Sequence, residues 1–457
     1  MSTGNPSPDV PDPSAGGSSP DLPGGPPGLS AGGPAPAACD DCLRRTDLIA
    51  ALSGWLDVEW RRRQAPGRVL ALTDGELLAL ASDRAVRRRY EAFDAVAART
   101  LIAGRGLVAA CRCDERYPSV LRDLPDPPAV LYVAGGVDLV GLEHTVAVVG
   151  ARRASDYGIT VARDLGRALS TAGVSVVSGL ALGVDSAAHS GALEGARAHE
   201  RPAPSDAALQ LAPEQPAPTP STLPLDAARQ FAHEQPVPPP SDAALQLAPE
   251  RPAPPPPCPA PPVAVLAGGA DLPYPASKRR LYAAVRAAGA VVSELPPGHG
   301  VHRWAFVARN RLIAALARVV VVVEATERSG SLTTADFAAE LGRTVAAVPG
   351  RVTCRLAEGT NGLLRDGAVV ARGPVDVLDA LAELTGGRYA PPRRAPAPVE
   401  PRLGRLLDAI GEGHSTLPML AAHGLDPRAV LAGLGELEAR GLVRRGFGGR
   451  YEPTFLP

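Results

Sequence analysis

Residues 145–185, TVAVVGARRASDYGITVARDLGRALSTAGVSVVSGLALGVD, carry the strongest fold signal in this chain. Short apolar runs at 145–149 and 174–177 are each followed by a glycine-containing turn, and a helical pattern at 159–169 lies between them. Short apolar runs bounded in this way are typical of buried strands, and the helical pattern is long enough to be a crossover connection. The stretch therefore predicts two parallel strands joined by a helix.

The same alternation continues towards the C-terminus. Further strands are predicted at 263–266, 290–293, 319–323 and 344–348, and further helices at 186–193, 278–288, 309–317 and 334–341. Strands that are apolar throughout and alternate with helices indicate a parallel sheet that is covered on both faces. The predicted fold class is therefore α/β, with a parallel-sheet domain over residues 116–389.

Other segments flank and interrupt this sheet domain. Residues 1–42 are rich in Pro, Gly and Ser and are predicted to be disordered, whereas leucines at helical spacing predict a small helical domain over 43–115. A proline-rich motif that occurs three times marks 198–262 as a disordered insert, either a slippage expansion or a partner-binding tether. After a linker at 390–400, three helices and a hairpin are predicted over 401–457, which is typical of a winged helix.

Composition excludes several classes of protein. Glycine and proline account for 48 and 50 of the 457 residues, which agrees with long segments that have no core. Six cysteines are too few for a disulfide-built secreted fold, and no apolar run approaches the roughly 18 residues of a membrane span, so a cytoplasmic protein is expected.

The cysteines include two closely spaced pairs. Cys39-x-x-Cys42 and Cys111-x-Cys113 could jointly hold zinc, but Cys-x-Cys is a poor spacing for a zinc knuckle. No ordered scaffold is expected around Cys39. Incidental reduced thiols and no metal are therefore expected.

Charge gives no overall attraction for polyanions. There are 47 basic and 48 acidic residues, a net charge of −1, so any anion site must be a local patch. Lys278 is the only lysine and no Gly-Lys-Ser/Thr sequence occurs, which excludes a Walker A phosphate loop. The G-x-G-x-x-G fingerprint is absent after the first strand, so no dinucleotide or other cofactor is expected.

Glycine-rich turns follow four of the predicted strands, at 150–153, 178–183, 268–269 and 328–331. In an open parallel sheet such turns line one crevice, and the free N–H groups of the helices that follow can bind phosphate. Tyr274, Trp304 and Phe306 lie nearby and either stack on bases or anchor loops. Basic residues are spread over the same region, which suits a phosphate strand better than one nucleotide: Arg152, Arg153, Lys278, Arg279, Arg280, Arg309, Arg311 and Arg328.

No catalytic set is apparent, and the chain is not expected to be an enzyme. Asp185 and His189 are four residues apart on a predicted helix and could form an acid–base pair, but capping by Asp185 and a hydrogen-bonded His189 is the simpler interpretation. Glu324 ends a strand and is predicted to orient Arg328.

A series of motifs occurs in order over about 117–381. The motifs are Val149-Gly-Ala-Arg152, Ser178-Gly-Leu-Ala-Leu-Gly-Val-Asp185 with Ala-Ala-His189, Tyr274-Pro275, Phe306 with Arg309-Asn-Arg311, Glu324-Ala, Arg328-Ser-Gly-Ser-Leu-Thr-Thr-Ala335, Val348-Pro-Gly350 and Gly359-Thr-Asn361. Together they resemble the DNA-processing protein A (DprA or Smf) family. The resemblance implies an extended Rossmann-like fold, preceded by a SAM-like helical domain, that binds single-stranded DNA without sequence preference and forms a homodimer. It also implies a role in natural transformation, in which the family protects incoming strands, displaces single-strand-binding protein and loads RecA recombinase.

The motifs also select candidate DNA-binding residues. By motif match, Arg152 and Lys278 would hold backbone phosphates and Phe306 would stack on a base. The remaining candidates come from the same motifs and turns: Gly150, Ser178, Gly179, Arg309, Asn310, Arg311, Ser329, Gly330, Ser331 and Thr334.

Two other functions stay open from the sequence. A phosphoribohydrolase of the lysine-decarboxylase-like type uses the same kind of sheet, but its Pro-Gly-Gly-x-Gly-Thr-x-x-Glu motif is absent. A transcription regulator would act through the predicted winged helix, but its third helix, at 428–440, carries few side chains that read bases.

Overall fold

The structure is a computed structural model that describes residues 38–63, 69–115, 117–200, 260–387, 389, 400–422, 426–440 and 442–453. The predicted disordered tail, apart from 38–42, lies outside the described residues, as do most of the predicted insert and linker. No helix among the described residues is both long and apolar enough to cross a membrane.

Five helices form the N-terminal part of the described chain: α1 (Asp40–Ala51), α2 (Ser53–Arg63), α3 (Asp74–Ala81), α4 (Arg84–Glu91) and α5 (Ala95–Gly104). Side chains cap three of them. Thr73 forms a capping box with Glu76 at α3, and Asp83 and Asp94 accept backbone hydrogen bonds at α4 and α5. Buried leucines such as Leu48 and Leu77 pack between these helices, as the leucine spacing predicts.

The expectation that no ordered scaffold surrounds Cys39 is wrong. Helix α1 begins at Asp40, so Cys39 is its N-cap residue and Cys42 lies in its first turn. This turn packs against the end of the first strand, and the Sγ atoms of Cys39, Cys42, Cys111 and Cys113 lie within 4.8 Å of one another. The two cysteine pairs, distant in sequence, thus form one cluster.

A nine-stranded sheet forms the centre of the molecule, in the order β1-β2-β6-β5-β4-β3-β7-β8-β9. The strands are β1 (Val108–Cys111), β2 (Val130–Gly135), β3 (Thr145–Val149), β4 (Ser175–Ser178), β5 (Val263–Val265), β6 (Ala290–Ser293), β7 (Val319–Val322), β8 (Thr344–Ala347) and β9 (Val369–Val370). The seven strands from β6 to β9 are parallel, and β2 runs antiparallel to both β6 and β1. The α/β fold class with a mostly parallel sheet is confirmed.

Strand β1 is a departure from the prediction of an all-helical segment over 43–115. Its four residues contain two alanines, too little apolar pattern to reveal a strand. They become a strand by pairing with β2, with Val108 opposite Val133 and Cys111 opposite Val130. A partner distant in sequence thus decides the local structure.

Helices cover both faces of the sheet: α6 (Ser119–Arg122), α7 (Asp156–Thr171), α8 (Val184–Glu200), α9 (Arg279–Ala288), α10 (Arg303–Leu316), α11 (Gly330–Glu340), α12 (Glu358–Arg365) and α13 (Pro374–Thr385). Strands β3 and β7 are fully buried between them, which explains the apolar run 146–149 of β3 and the four consecutive valines of β7. Helices α7 and α8 pack closely through glycine, since a Cβ on Gly191 would lie only 1.9 Å from the Arg163 carbonyl oxygen.

The order of the strands reverses at β3. From β3 the chain proceeds through β4, β5 and β6 on one side, and β7, β8 and β9 lie on the other. In open α/β sheets, ligands bind at the carboxyl ends of the strands beside such a reversal. The segment 201–259 leaves after the C-terminus of α8 and returns before β5, which places its attachment at the opposite, amino edge of the sheet.

Beyond the sheet, the described residues form α14 (Pro401–Gly411), α15 (Leu417–Ala422), α16 (Pro427–Ala439) and an antiparallel hairpin of β10 (Val443–Arg445) and β11 (Tyr451–Pro453). Asp426 caps α16 by accepting from the Ala429 N–H. Leu406, Leu420, Leu434 and Val443 share one small core. The identity of this unit as a winged helix stays a prediction.

Candidate nucleic-acid interface

The turn after β3 presents Arg152 at the carboxyl edge of the sheet. The Ala151 N–H donates to the Glu324 carbonyl oxygen across a distance of 2.7 Å. The Glu324 carboxylate also accepts from the Ser155 N–H at 2.8 Å and from the Ser155 hydroxyl at 2.5 Å. Glu324 therefore fixes the turn that carries Arg152. The predicted role of Glu324 in orienting Arg328 is wrong, because its oxygens are engaged by Ser155.

Arg152 lies on the ring of Phe306. Its guanidinium carbon is 4.6 Å from the ring centroid, within the range of a cation–π contact. Phe306 lies in the first part of α10, and the centroid of its ring is 5.8 Å from that of the Tyr274 ring. Arg152 is exposed and Tyr274 is 46% exposed, so a cation and two aromatic rings form a continuous surface.

The surface continues from α10 to the start of α11. Asn310 lies four residues after Phe306, which places both on one helix face. The Asn310 side-chain amide donates to the Gly330 carbonyl oxygen at 3.0 Å. Ser329 is the N-cap of α11, and its hydroxyl lies 2.7 Å from that of Ser331. The N-terminus of a helix, where N–H groups lack helical partners, thus lies beside the aromatic surface.

A buried layer beneath this surface holds the turn after β4. Arg309 is 6% exposed, and its guanidinium donates to the carbonyl oxygens of Gly179 at 2.8 Å and Val265 at 2.7 Å. A Cβ on Gly179 would lie 1.8 Å from that guanidinium, so only glycine fits. The Gly179 N–H in turn donates to the Asp185 carboxylate at 3.2 Å.

The same turn contains a strained residue and two perturbed ionisable groups. Leu180 has a φ of +53° and a fully buried side chain, a conformation that persists only where packing enforces it. Burial lowers the pKa of Arg309 to about 10 and raises the pKa of Asp185. Arg309 therefore supports the turn from below and is not placed to meet a ligand at the surface.

Arg311 is a second buried arginine among the candidates. Its side chain is 3% exposed and pairs with Asp126 at 2.8 Å and with Glu294 at 2.7 Å. It also donates to the Asp126 and Ala308 carbonyl oxygens. This network joins α10 to the loops after α6 and β6, so the structure places Arg311 away from the exposed surface.

The other candidates divide in the same way. Ser178 and Thr334 are buried, and the Ser178 hydroxyl donates to the Val148 carbonyl oxygen. Gly150 lies in close contact with Val184, where a Cβ would be 2.7 Å from a side-chain carbon. Lys278 is half-buried and directly precedes α9. No hydrogen bond or ion pair among the described residues links it to Arg152.

Burial decides between the alternatives given above for Trp304 and for the pair Asp185 and His189. Trp304 is 1% exposed and its backbone N–H donates to the Asp57 carboxylate of α2, so it anchors the helical part and cannot stack on a base. His189 is fully buried, its Nε2–H donates to the Val263 carbonyl oxygen at 3.2 Å, and burial lowers its pKa to about 4. Asp185 and His189 thus make separate backbone contacts. The hydrogen-bonded His189 agrees with the simpler interpretation, whereas Asp185 accepts from Gly179, which precedes the helix, in place of the predicted helix capping.

The structure adds residues that the sequence pattern did not select. Ser155 holds the Glu324 carboxylate by hydrogen bonds, and the Asp126 carboxylate pairs with the Arg311 guanidinium. Neither lies in a glycine turn or has a distinctive spacing, so only the folded structure reveals them. Tyr274 was considered for stacking, and its contact with Phe306 now places it beside Arg152.

Comparisons with known proteins agree with this architecture. A family model described as DNA recombination-mediator protein A matches residues 109–199 and 259–382. The putative DNA processing protein DprA of Mycobacterium tuberculosis is 34% identical over 333 residues, which cover 69% of this chain and 66% of that protein. Protein Smf of Synechocystis is 30% identical over 374 residues, 74% of this chain and 78% of the relative. The X-ray structure of DprA from Streptococcus pneumoniae superposes with a TM-score of 0.50 and 26% identity, covering 74% of this chain and 95% of that one.

Proposed function

The chain belongs to the DNA recombination-mediator protein A (DprA/Smf) family, and on this basis we propose that it binds single-stranded DNA along the carboxyl edge of its sheet. The observation that carries the proposal is the contact of exposed Arg152 with Phe306 beside the N-terminus of α11. Proteins that bind single strands without sequence preference combine cations for the phosphates with aromatic rings on which bases stack.

The candidate residues divide into two roles under this proposal. Arg152, Lys278 and the α11 N-terminus, with Ser329, Gly330 and Ser331, are accessible and would meet phosphates, while Phe306 and Asn310 would meet bases. The buried members act by positioning: Arg309 holds the Gly179 turn, and Arg311 fixes α10 through Asp126 and Glu294. The remaining positions are partly exposed Gly150 and the buried Ser178 and Thr334, which shape the floor of the site.

Local charge supports phosphate over other ligands. No ion pair joins Arg152 or Lys278 to a carboxylate among the described residues, whereas the Glu294 and Asp126 carboxylates are satisfied by Arg311. Arg153, Arg279, Arg280 and Arg328 are also exposed near these turns. A chain of net charge −1 thus presents a local basic surface, which is the electrostatic requirement for a polyphosphate ligand.

The description of the matching family as a recombination mediator supports a role for this binding in recombination, and mediators of this kind act by binding and not by catalysis. We propose that the chain protects incoming single strands in natural transformation, displaces single-strand-binding protein, and delivers the strand to RecA recombinase as a cytoplasmic homodimer. These partners follow from the family resemblance.

A direct test is binding of fluorescein-labelled oligonucleotides, followed by anisotropy over a salt series. The proposal expects tighter binding of a single strand than of a duplex of the same sequence, with an affinity that falls steeply as salt rises. Equal affinity for duplex and single strand, or none for either at low salt, would contradict it.

A further inference from the structure

The cysteine cluster is unrelated to the DNA surface and has the composition of a metal site. We propose that Cys39, Cys42, Cys111 and Cys113 bind one zinc ion as four thiolate ligands, in a closed structural site that fastens α1 to the edge of the sheet. The four Sγ atoms lie within 4.8 Å of one another, and those of Cys42 and Cys113 are 3.7 Å apart. Tetrahedral zinc–thiolate bonds of about 2.3 Å require sulfur–sulfur distances of roughly 3.8 Å.

The local structure explains how each pair presents two sulfurs to one point. Cys39 and Cys42 are three residues apart at the start of a helix, so their side chains lie on the same face. Cys111 ends β1, and Cys113 lies in the turn that follows directly, which brings its sulfur to the same cluster as that of Cys111.

The segment after β1 is held in place by backbone hydrogen bonds. The Arg112 N–H donates to the Ala129 carbonyl oxygen, and the Asp114 N–H donates to that of Cys111 and closes a turn. The Cys-x-Cys spacing, which is poor for a zinc knuckle, is therefore suitable for a strand that ends in a tight turn.

The surroundings favour a structural ion over an open catalytic one. Cys42 and Cys111 are 4% and 3% exposed, within a core that includes Ala38 and Tyr132, while Cys113 is exposed and gives the ion a route of entry. Four thiolates fill the coordination sphere of zinc, so no position remains for substrate or water.

Thiolate ligands also exclude hard cations. Sulfur-only tetrahedral sites select zinc or iron, whereas magnesium and calcium require oxygen ligands. A disulfide is the other chemistry that four cysteines offer. The 3.7 Å separation of Cys42 and Cys113 is well beyond the roughly 2.05 Å of a sulfur–sulfur bond, and the pairing of two sulfurs does not require all four to converge.

A zinc ion here would join segments 71 residues apart in sequence. The α1 N-terminus is otherwise attached at this point by Arg99, which donates to the Ala38 carbonyl oxygen at 2.8 Å and to the Asp40 carboxylate at 2.5 Å. The ion therefore supplies a cross-link between the helical part and β1, which is an edge strand.

The test is the metal content of the full-length chain, purified under reducing conditions without a metal-affinity step and analysed by elemental mass spectrometry. We expect one zinc per chain, released by a thiol-modifying mercurial and counted with a chromogenic chelator. Cobalt exchanged into the site should show the intense visible bands of a tetrahedral sulfur-ligated ion. Cys113→Ser, at the exposed ligand, should lose most of the zinc and these bands, whereas Cys354→Ser, outside the cluster, should keep both.

Three results would overturn the proposal: protein that carries no zinc although its four thiols titrate as reduced, iron in place of zinc, or a disulfide among the four cysteines in the protein isolated from cells. The metal count of the unaltered chain does not depend on how the variants fold. Binding of single-stranded DNA is a separate measurement, so either proposal can fail without the other.

Discussion

The guanidinium carbon of Arg152, in the turn after β3, lies 4.6 Å from the centroid of the Phe306 ring, in α10. The contact joins the arginine that is proposed to bind phosphate to the ring that is proposed to stack on a base. An exposed cation–π contact is worth about 0.5–1 kcal/mol, enough to hold the arginine over the site before DNA arrives. The effects of altering these two residues should therefore depend on each other.

We expect Phe306→Ala to weaken single-strand binding by about 1–3 kcal/mol, the usual loss for one stacked base. Arg152→Ala should weaken binding and lower the slope of log K against log salt by about 0.7, the value for one single-strand phosphate contact. The loss of binding free energy in the double variant should be smaller than the sum of the losses in the two single variants, because each residue positions the other. Titrations of the four proteins over a salt series measure this, and strictly additive losses would contradict the coupling.

Arg311→Ala should act on stability. Removing one partner of a buried ion pair typically costs about 3–5 kcal/mol, because the Asp126 and Glu294 carboxylates are left buried without their cation. Denaturant unfolding followed by circular dichroism should show this loss, and Arg328→Ala, at an exposed position, should change stability little. An Arg311→Ala protein of normal stability that has lost DNA binding would show that Arg311 meets DNA directly.

His189 should make stability depend on pH. Its folded pKa is lowered to about 4 by burial, from 6.5, so between these values the unfolded chain binds the proton and the folded chain does not. The contribution of His189 to the free energy of unfolding is therefore complete above pH 6.5. It falls as the pH decreases towards 4, by an amount on the order of 3 kcal/mol.

The comparison of His189→Gln with the unaltered chain isolates this effect. Between pH 6.5 and 4, the free energy of unfolding of the variant should fall less than that of the unaltered chain, whatever the difference between the two at pH 7. His414→Gln, in the C-terminal unit, is the control and should follow the unaltered chain. An unchanged pH dependence in His189→Gln would mean that the buried imidazole does not titrate in this range.

Replacing residues 201–259 by a short Gly/Ser linker should leave single-strand affinity unchanged. The segment attaches at the amino edge of the sheet, after α8 and before β5, and the proposed site lies at the carboxyl edge. Surface connections of this kind tolerate length changes at small free-energy cost. Anisotropy and thermal unfolding of the shortened chain test this, and a loss of folding or of affinity would assign the segment a direct role.

Much of the sheet could be predicted from sequence because its strands are buried on both faces. Valine runs such as 319–322 need no partner to be recognised, whereas β1 and β9 are short and form only through pairing.

The glycine turns also indicate the region of the proposed site, since they follow the strands at one edge of the sheet. The sequence could not distinguish exposed from buried cations. Arg309 and Arg311 look like Arg152 in a motif, but both are buried. Arg309 donates to backbone carbonyl oxygens, and Arg311 pairs with Asp126 and Glu294, so both have structural roles. The zinc site was considered from the sequence and set aside, because the spacing of the two cysteine pairs does not show that the fold brings them together.

The measurement that tests the central claim most directly is single-strand affinity of the double charge-reversal variant Arg152→Glu, Lys278→Glu. Its control is Arg197→Glu, Arg365→Glu, which makes the same change in charge at exposed positions near the C-termini of α8 and α12, at the opposite edge of the sheet. With folding verified by circular dichroism, the account predicts that the site variant loses most of its affinity and salt dependence while the control keeps nearly all of both. Undiminished binding by the site variant, or an equal loss in the control, would contradict it.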